Sequence, residues 1–64
     1  MSQTEVLRQV REHPGITAEE IAPLLDAPPN TVRLALLTLY KKRDIRREGG
    51  RGKNPYRYYA EATQ

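Results

Sequence analysis

Apolar residues recur at helical spacing over the first two-thirds of the chain and then give way to a strand-like alternation. Val6, Leu7 and Val10 put one narrow stripe on residues 3–12. That predicts a first helix, capped by Ser2 or Thr4 and stopped after His13 by Pro14-Gly15. His13 is expected to be a surface turn residue. Thr17-Ala18-Glu19-Glu20 has the form of a capping box, with Ile16 and Ile21 in the two staple positions. A second helix is therefore expected over 18–25, its apolar face continuing through Ile21, Ala22, Leu24 and Leu25. Pro23 lies inside it and removes a backbone donor, so this helix should be short or bent.

Asp26-Ala27-Pro28-Pro29 breaks the pattern, and a third helix is expected over 29–43 with Pro29 in its first turn. At 100° per residue, Val32, Ala35, Leu36 and Leu39 form the inward stripe. Asn30, Arg33, Leu34, Leu37, Thr38 and Lys41 point away from it. Lys41, Lys42 and Arg43 complement the helix dipole in the last turn. Beyond them, Asp44 to Glu48 alternates weakly and Tyr56 to Ala60 is rich in strand formers. The glycine-rich, basic segment 49–55 joins them, so a hairpin with a protruding tip is expected over 44–60. Residues 61–64 are expected to fray.

Length now constrains how this can fold. The chain has 64 residues, no cysteine and one histidine, so neither disulfides nor a zinc site can staple it. A chain this short buries only about 60% of its unfolded surface. Its core has to come from thirteen Leu, Ile and Val residues with alanines and tyrosines, because Phe and Trp are absent. One domain spanning 1–64 is expected. A catalytic cleft needs more scaffold than this, so no enzyme, cofactor or metal is expected. No apolar run is long enough for a membrane helix, and Met-Ser-Gln-Thr-Glu has no leader character, which makes the cytoplasm the expected location.

Charge changes the picture most. Residues 1–32 carry two cations against five anions, a balance of −3, whereas residues 33–64 carry nine against three, a balance of +6. Such a positive end attracts polyanions. The same cations serve equally as a solvated surface that keeps a small protein soluble, and charge alone does not separate the two.

Helix, short helix, turn, helix and basic hairpin, in that order, resemble the winged helix-turn-helix domain of bacterial, archaeal and phage transcription regulators. The residues that carry the resemblance are Ile16 to Ala22 with Leu25, then Asn30-Thr31-Val32-Arg33 with Leu36 and Leu39. Lys41 to Ile45 and the closing Tyr56-Arg57-Tyr58-Tyr59 continue it, so it covers roughly residues 4–60. The expected fold class is mainly α with a small β-hairpin. Two features depart from the family pattern: the Asp26-Ala27-Pro28-Pro29 turn, where a small residue and a Ser or Thr cap are usual, and Pro23.

The resemblance implies a sequence-specific double-stranded DNA-binding protein, such as a small repressor, with its third helix in the major groove. Asn30, Thr31 and Arg33 would then lie at the reading end, Asn30 toward adenine and Arg33 toward guanine, with Leu34 and Leu37 against thymine methyls or sugars. Lys41, Lys42 and the amide end near Thr17 would take phosphates. Arg51 and Lys53 at the wing tip would reach backbone or minor groove, flanked by Arg46, Arg47 and Arg57. Tyr56 and Tyr58 are expected to cover the core, with Tyr59 on the opposite face within reach of a phosphate. Self-association or cooperative binding on DNA would need a small interface involving Leu34 and Leu37 or the first helix. The same leucine pair also describes a protein-contact patch, which leaves an interaction adaptor as the alternative function.

Overall fold

In the computed structural model, which describes residues 2–61, three helices are followed by one two-stranded antiparallel sheet. The first helix, α1 (Gln3–Glu12), begins at a capping box: the Ser2 side chain accepts from the Glu5 amide while Glu5 accepts from the Ser2 amide. The second, α2 (Ala18–Leu24), has the capping box expected from its sequence, with Thr17 and Glu20 bonded reciprocally at 3.2 and 3.0 Å. Pro23 falls near its end, and the helix has 7 residues, one fewer than expected. Leu24 turns outward and is 54% exposed, so it does not join the apolar face predicted for it.

The turn after α2 explains its atypical sequence. Asp26 adopts a left-handed conformation (φ 52), Ala27 N–H donates to Ala22 O at 3.0 Å, and Asp26 N–H donates to Pro23 O at 3.4 Å. This is the Schellman pattern with an aspartate where glycine is usual. Pro28 and Pro29 then start α3 (Pro29–Lys41), whose first turn needs no donor from Pro29. The same pattern closes α3. Arg43 is left-handed (φ 66), Asp44 N–H donates to Leu39 O, and Arg43 N–H donates to Tyr40 O, each at 3.0 Å. The helix therefore stops two residues short of the expected Arg43, because that residue makes the reversal into the sheet.

Strands β1 (Ile45–Gly49) and β2 (Tyr56–Ala60) pair with Ile45 opposite Ala60 and Arg47 opposite Tyr58. Ile45, Arg47, Tyr56 and Tyr58 consequently share one face, and Arg46, Glu48, Arg57 and Tyr59 the other. An element absent from the sequence reading is a single bridge between Ile16 and Tyr58, which makes the segment before α2 a vestigial third strand. Gly15 N–H donates to Tyr58 O and Tyr58 N–H to Ile16 O, at 2.8 and 2.9 Å.

One core joins all of these elements. Val6 and Val10 of α1, Ile16, Ala18, Ile21 and Ala22, the α3 stripe Val32, Ala35, Leu36 and Leu39, and Ile45 and Tyr58 of the sheet are buried together. The inward stripe of α3 matches the expectation residue for residue. Glu61, expected to fray, donates its amide to Asp44 O at 3.0 Å; the remaining tail, 62–64, lies outside the described residues.

Candidate nucleic-acid interface

The outward side of α3 is the surface that its inward stripe leaves over. Burying Val32, Ala35, Leu36 and Leu39 turns Asn30, Leu34, Leu37 and Lys41 to the opposite side, with Arg33 and Tyr40 on one flank and Thr31 and Thr38 on the other. All eight are exposed. Leu34 is 67% exposed and Leu37 38%. The helix is thus not rotated to hide its leucines under the hairpin. Thr38 gives its hydroxyl back to Leu34 O at 3.1 Å, a bond within the helix.

Arg33 is held sideways across the start of this surface. One guanidinium nitrogen donates to Asn30 Oδ1 at 2.8 Å, and another pairs with the Glu19 carboxylate of α2. A backbone amide hydrogen bond first, and Arg33 second, hold the Glu19 carboxyl below the ordinary carboxylate range. The two side chains expected to read bases are therefore bonded to each other, and Glu19 joins them. A contact fourteen residues away along the chain has no signature in the sequence pattern.

The remaining cations fall into two groups. Among the described residues, Arg11 on α1 and, in the basic half, Lys41, Arg43, Arg51 and Lys53 are exposed and take part in no ion pair. The others are engaged. Lys42 lies 4.0 Å from Asp44, and Arg46 pairs with Glu48 at 3.3 Å while its guanidinium sits 5.0 Å from the Tyr59 ring centre. Arg57 donates to Gly15 O at 3.1 Å, tying β2 to the turn before α2.

No protein-family model matches this chain, and no curated protein matches it. Among solved structures it is similar to the transcriptional regulator SlyA, with a TM-score of 0.78 and 31% sequence identity. The match covers 94% of this chain and 42% of that one, so the chain spans less than half the length of that regulator. The chain has the winged helix-turn-helix fold. In its terms α2 and α3 are the helix-turn-helix and the β1–β2 hairpin is the wing.

The wing is fastened to α3 by a residue that sequence reasoning placed among the flanking cations. Arg47 lies between two aromatic rings, 4.1 Å from the Tyr40 ring centre and 4.2 Å from that of Tyr56. It is half-buried, on the face opposite to Arg46 and Arg57. The three arginines therefore do not flank the tip as one set. Tyr56, expected to cover the core, is exposed and serves as the outer plate of this sandwich, while Tyr58 alone reaches the core. Burial is the main cause that raises the Tyr58 phenol above its ordinary range, with Arg47 acting in the opposite direction.

Gly50 makes room for the arrangement. Its φ is +77, and a Cβ there would come within 2.3 Å of the Tyr56 ring. Thr17 holds the capping position expected of it. It is 5% exposed and its amide is bonded to Glu20, so that amide is not free for a phosphate. Among the described residues no cluster of three or more His, Cys, Asp or Glu side chains could hold a metal, and no helix is long and apolar enough to cross a membrane.

Proposed function

We propose that this domain binds double-stranded DNA as a transcriptional regulator, with α3 in the major groove and the wing on the adjoining backbone or minor groove. The observation that carries the reading is the pairing of an exposed α3 face with unpaired cations at two places, Lys41 and Arg43 at the end of α3 and Arg51 and Lys53 at the wing tip. The likeness to a transcriptional regulator over nearly the whole chain supports it. In this reading Asn30, Thr31 and Arg33 approach base edges, and Lys41 and Lys42 hold phosphates. Arg51 and Lys53 grip the strand beyond, while Arg46 and Arg57 add to the field. Phosphate contacts fix register without reading sequence, whereas contacts to base edges discriminate.

Binding of a duplex measured against salt tests it. With about four phosphates neutralised, log K should fall against log salt with a slope of about −4. Arg33→Ala should relax sequence preference, and Lys53→Ala should weaken all duplexes alike and flatten the slope by about one. Binding that is indifferent to salt, or absent at low salt, overturns the proposal.

A further inference from the structure

The side of α3 turned farthest from the core is led by leucines. Leu34 is the most exposed large apolar residue among those described, Leu37 follows one turn later, and Asn30 and Lys41 stand at either end of the pair. Arg33, the residue best suited to guanine, is drawn to the flank by Glu19 and Asn30. In the major groove the thymine C5-methyl is the apolar feature among the base edges. Residues three apart on a helix rise about 4.5 Å along its axis, between one and two base-pair steps of roughly 3.4 Å.

We infer that Leu34 and Leu37 are specificity-determining residues that pack on thymine methyls of neighbouring base pairs, giving the domain a preference for A·T steps under α3. The inference rests on the DNA-binding reading above. Asn30, one turn before Leu34, completes it, since its amide suits the N6 and N7 edge of adenine. Charge beside the leucines agrees with this occupant, because Lys41 follows Leu37 by one turn on the same side of α3 and takes part in no ion pair among the described residues. A protein partner is the poorer fit. The two leucines together expose about as much surface as one fully exposed side chain, far below the roughly 800 Å² per partner of a stable protein interface.

The test uses the whole chain and three short duplexes with identical flanks and centres of alternating A·T, alternating A·U or alternating G·C. Uracil lacks only the methyl group. Each methyl buried against a leucine is worth about four-fold in affinity. The A·T duplex should therefore bind at least four-fold tighter than the A·U duplex at fixed salt. Leu34→Ala with Leu37→Ala should erase that difference, bringing the A·T and A·U affinities within about two-fold of each other. A thermal melt of the double variant, unchanged because both positions are outside the core, keeps the result interpretable. Equal, salt-dependent binding of A·T and A·U duplexes overturns the inference and leaves the DNA-binding reading standing. Failure to bind any duplex at low salt overturns both, and the leucine face then belongs to a protein contact.

Discussion

The third helix and the wing, the two parts proposed to meet DNA, are held in place by different kinds of force. On α3, Val32, Leu36 and Leu39 are sealed in a core shared with α1, α2 and the sheet. The wing puts Ile45 and Tyr58 into that core and packs Ala60 against it. It relies otherwise on the Ile16–Tyr58 bridge, the Arg57 bond to Gly15 and the stacking of Arg47 between Tyr40 and Tyr56. Residues 50–57 are exposed throughout. Apolar burial is dispersed over many contacts and yields only with the whole fold, whereas a few directional contacts at an edge can open on their own. The helix is thus built to stay, and the wing to be adjusted.

That contrast can be broken most forcefully at Leu36. Leu36→Ala should cost about 2–5 kcal/mol, a large share of the roughly 3–10 kcal/mol available to a domain of this length. Leu34→Ala, two positions away on the opposite side, should stay within about 0.5 kcal/mol. Urea unfolding of the two variants checks both figures, and equal losses would mean that the division of α3 into an inner and an outer side is wrong.

At Gly50 a smaller and more local effect is expected. An alanine there would have to hold a left-handed conformation, costing about 1–2 kcal/mol, and would drive the Tyr56 ring out of its stack with Arg47. Amide exchange should quicken in β1 and β2 while α1 and the centre of α3 keep their protection. Uniform acceleration across the chain would show that wing and helices open as one unit.

Smallest of the three is the loss expected at Arg47. Two cation–π contacts at a half-exposed site are worth about 1–2 kcal/mol together. Arg47→Ala should move the ring resonances of Tyr40 and Tyr56 and loosen the wing, with Arg47→Lys recovering part of the effect. Unchanged tyrosine resonances in the alanine variant would remove the sandwich from the account.

How much of this was legible depended on how far apart the partners lie in the chain. The Thr17–Glu20 box, the inward stripe of α3 and the extent of β2 are local or periodic features, and the residues announce them directly. The Arg33–Glu19 pair, the Arg47 sandwich and the Ile16–Tyr58 bridge join segments brought together only by folding, and each involves residue types with many other uses. Leu24 shows the intermediate case. Its spacing from Ile21 suits the apolar face of α2, yet Ala18, Ile21, Ala22 and Leu25 already form the side packed on the core, and Leu24 falls about 100° off it. The end of α3 was overrun for a related reason. Arg43 continues the basic last turn in composition, and a left-handed arginine carries no mark in sequence comparable to a glycine.

The turn at Arg43 also fixes the phase of everything after it. Only Lys42, Arg43 and Asp44 separate the last residue of α3 from the first of β1, and both ends of that reversal are bonded, at Tyr40 and Leu39. Side chains in a strand alternate strictly between faces. One residue added or removed here would swap the two sides of β1, sending Ile45 out of the core and Arg47 away from Tyr40. The connection therefore works like a reading frame. Its composition can vary, as the arginine in a glycine's place shows, but its length cannot change without mispointing the wing.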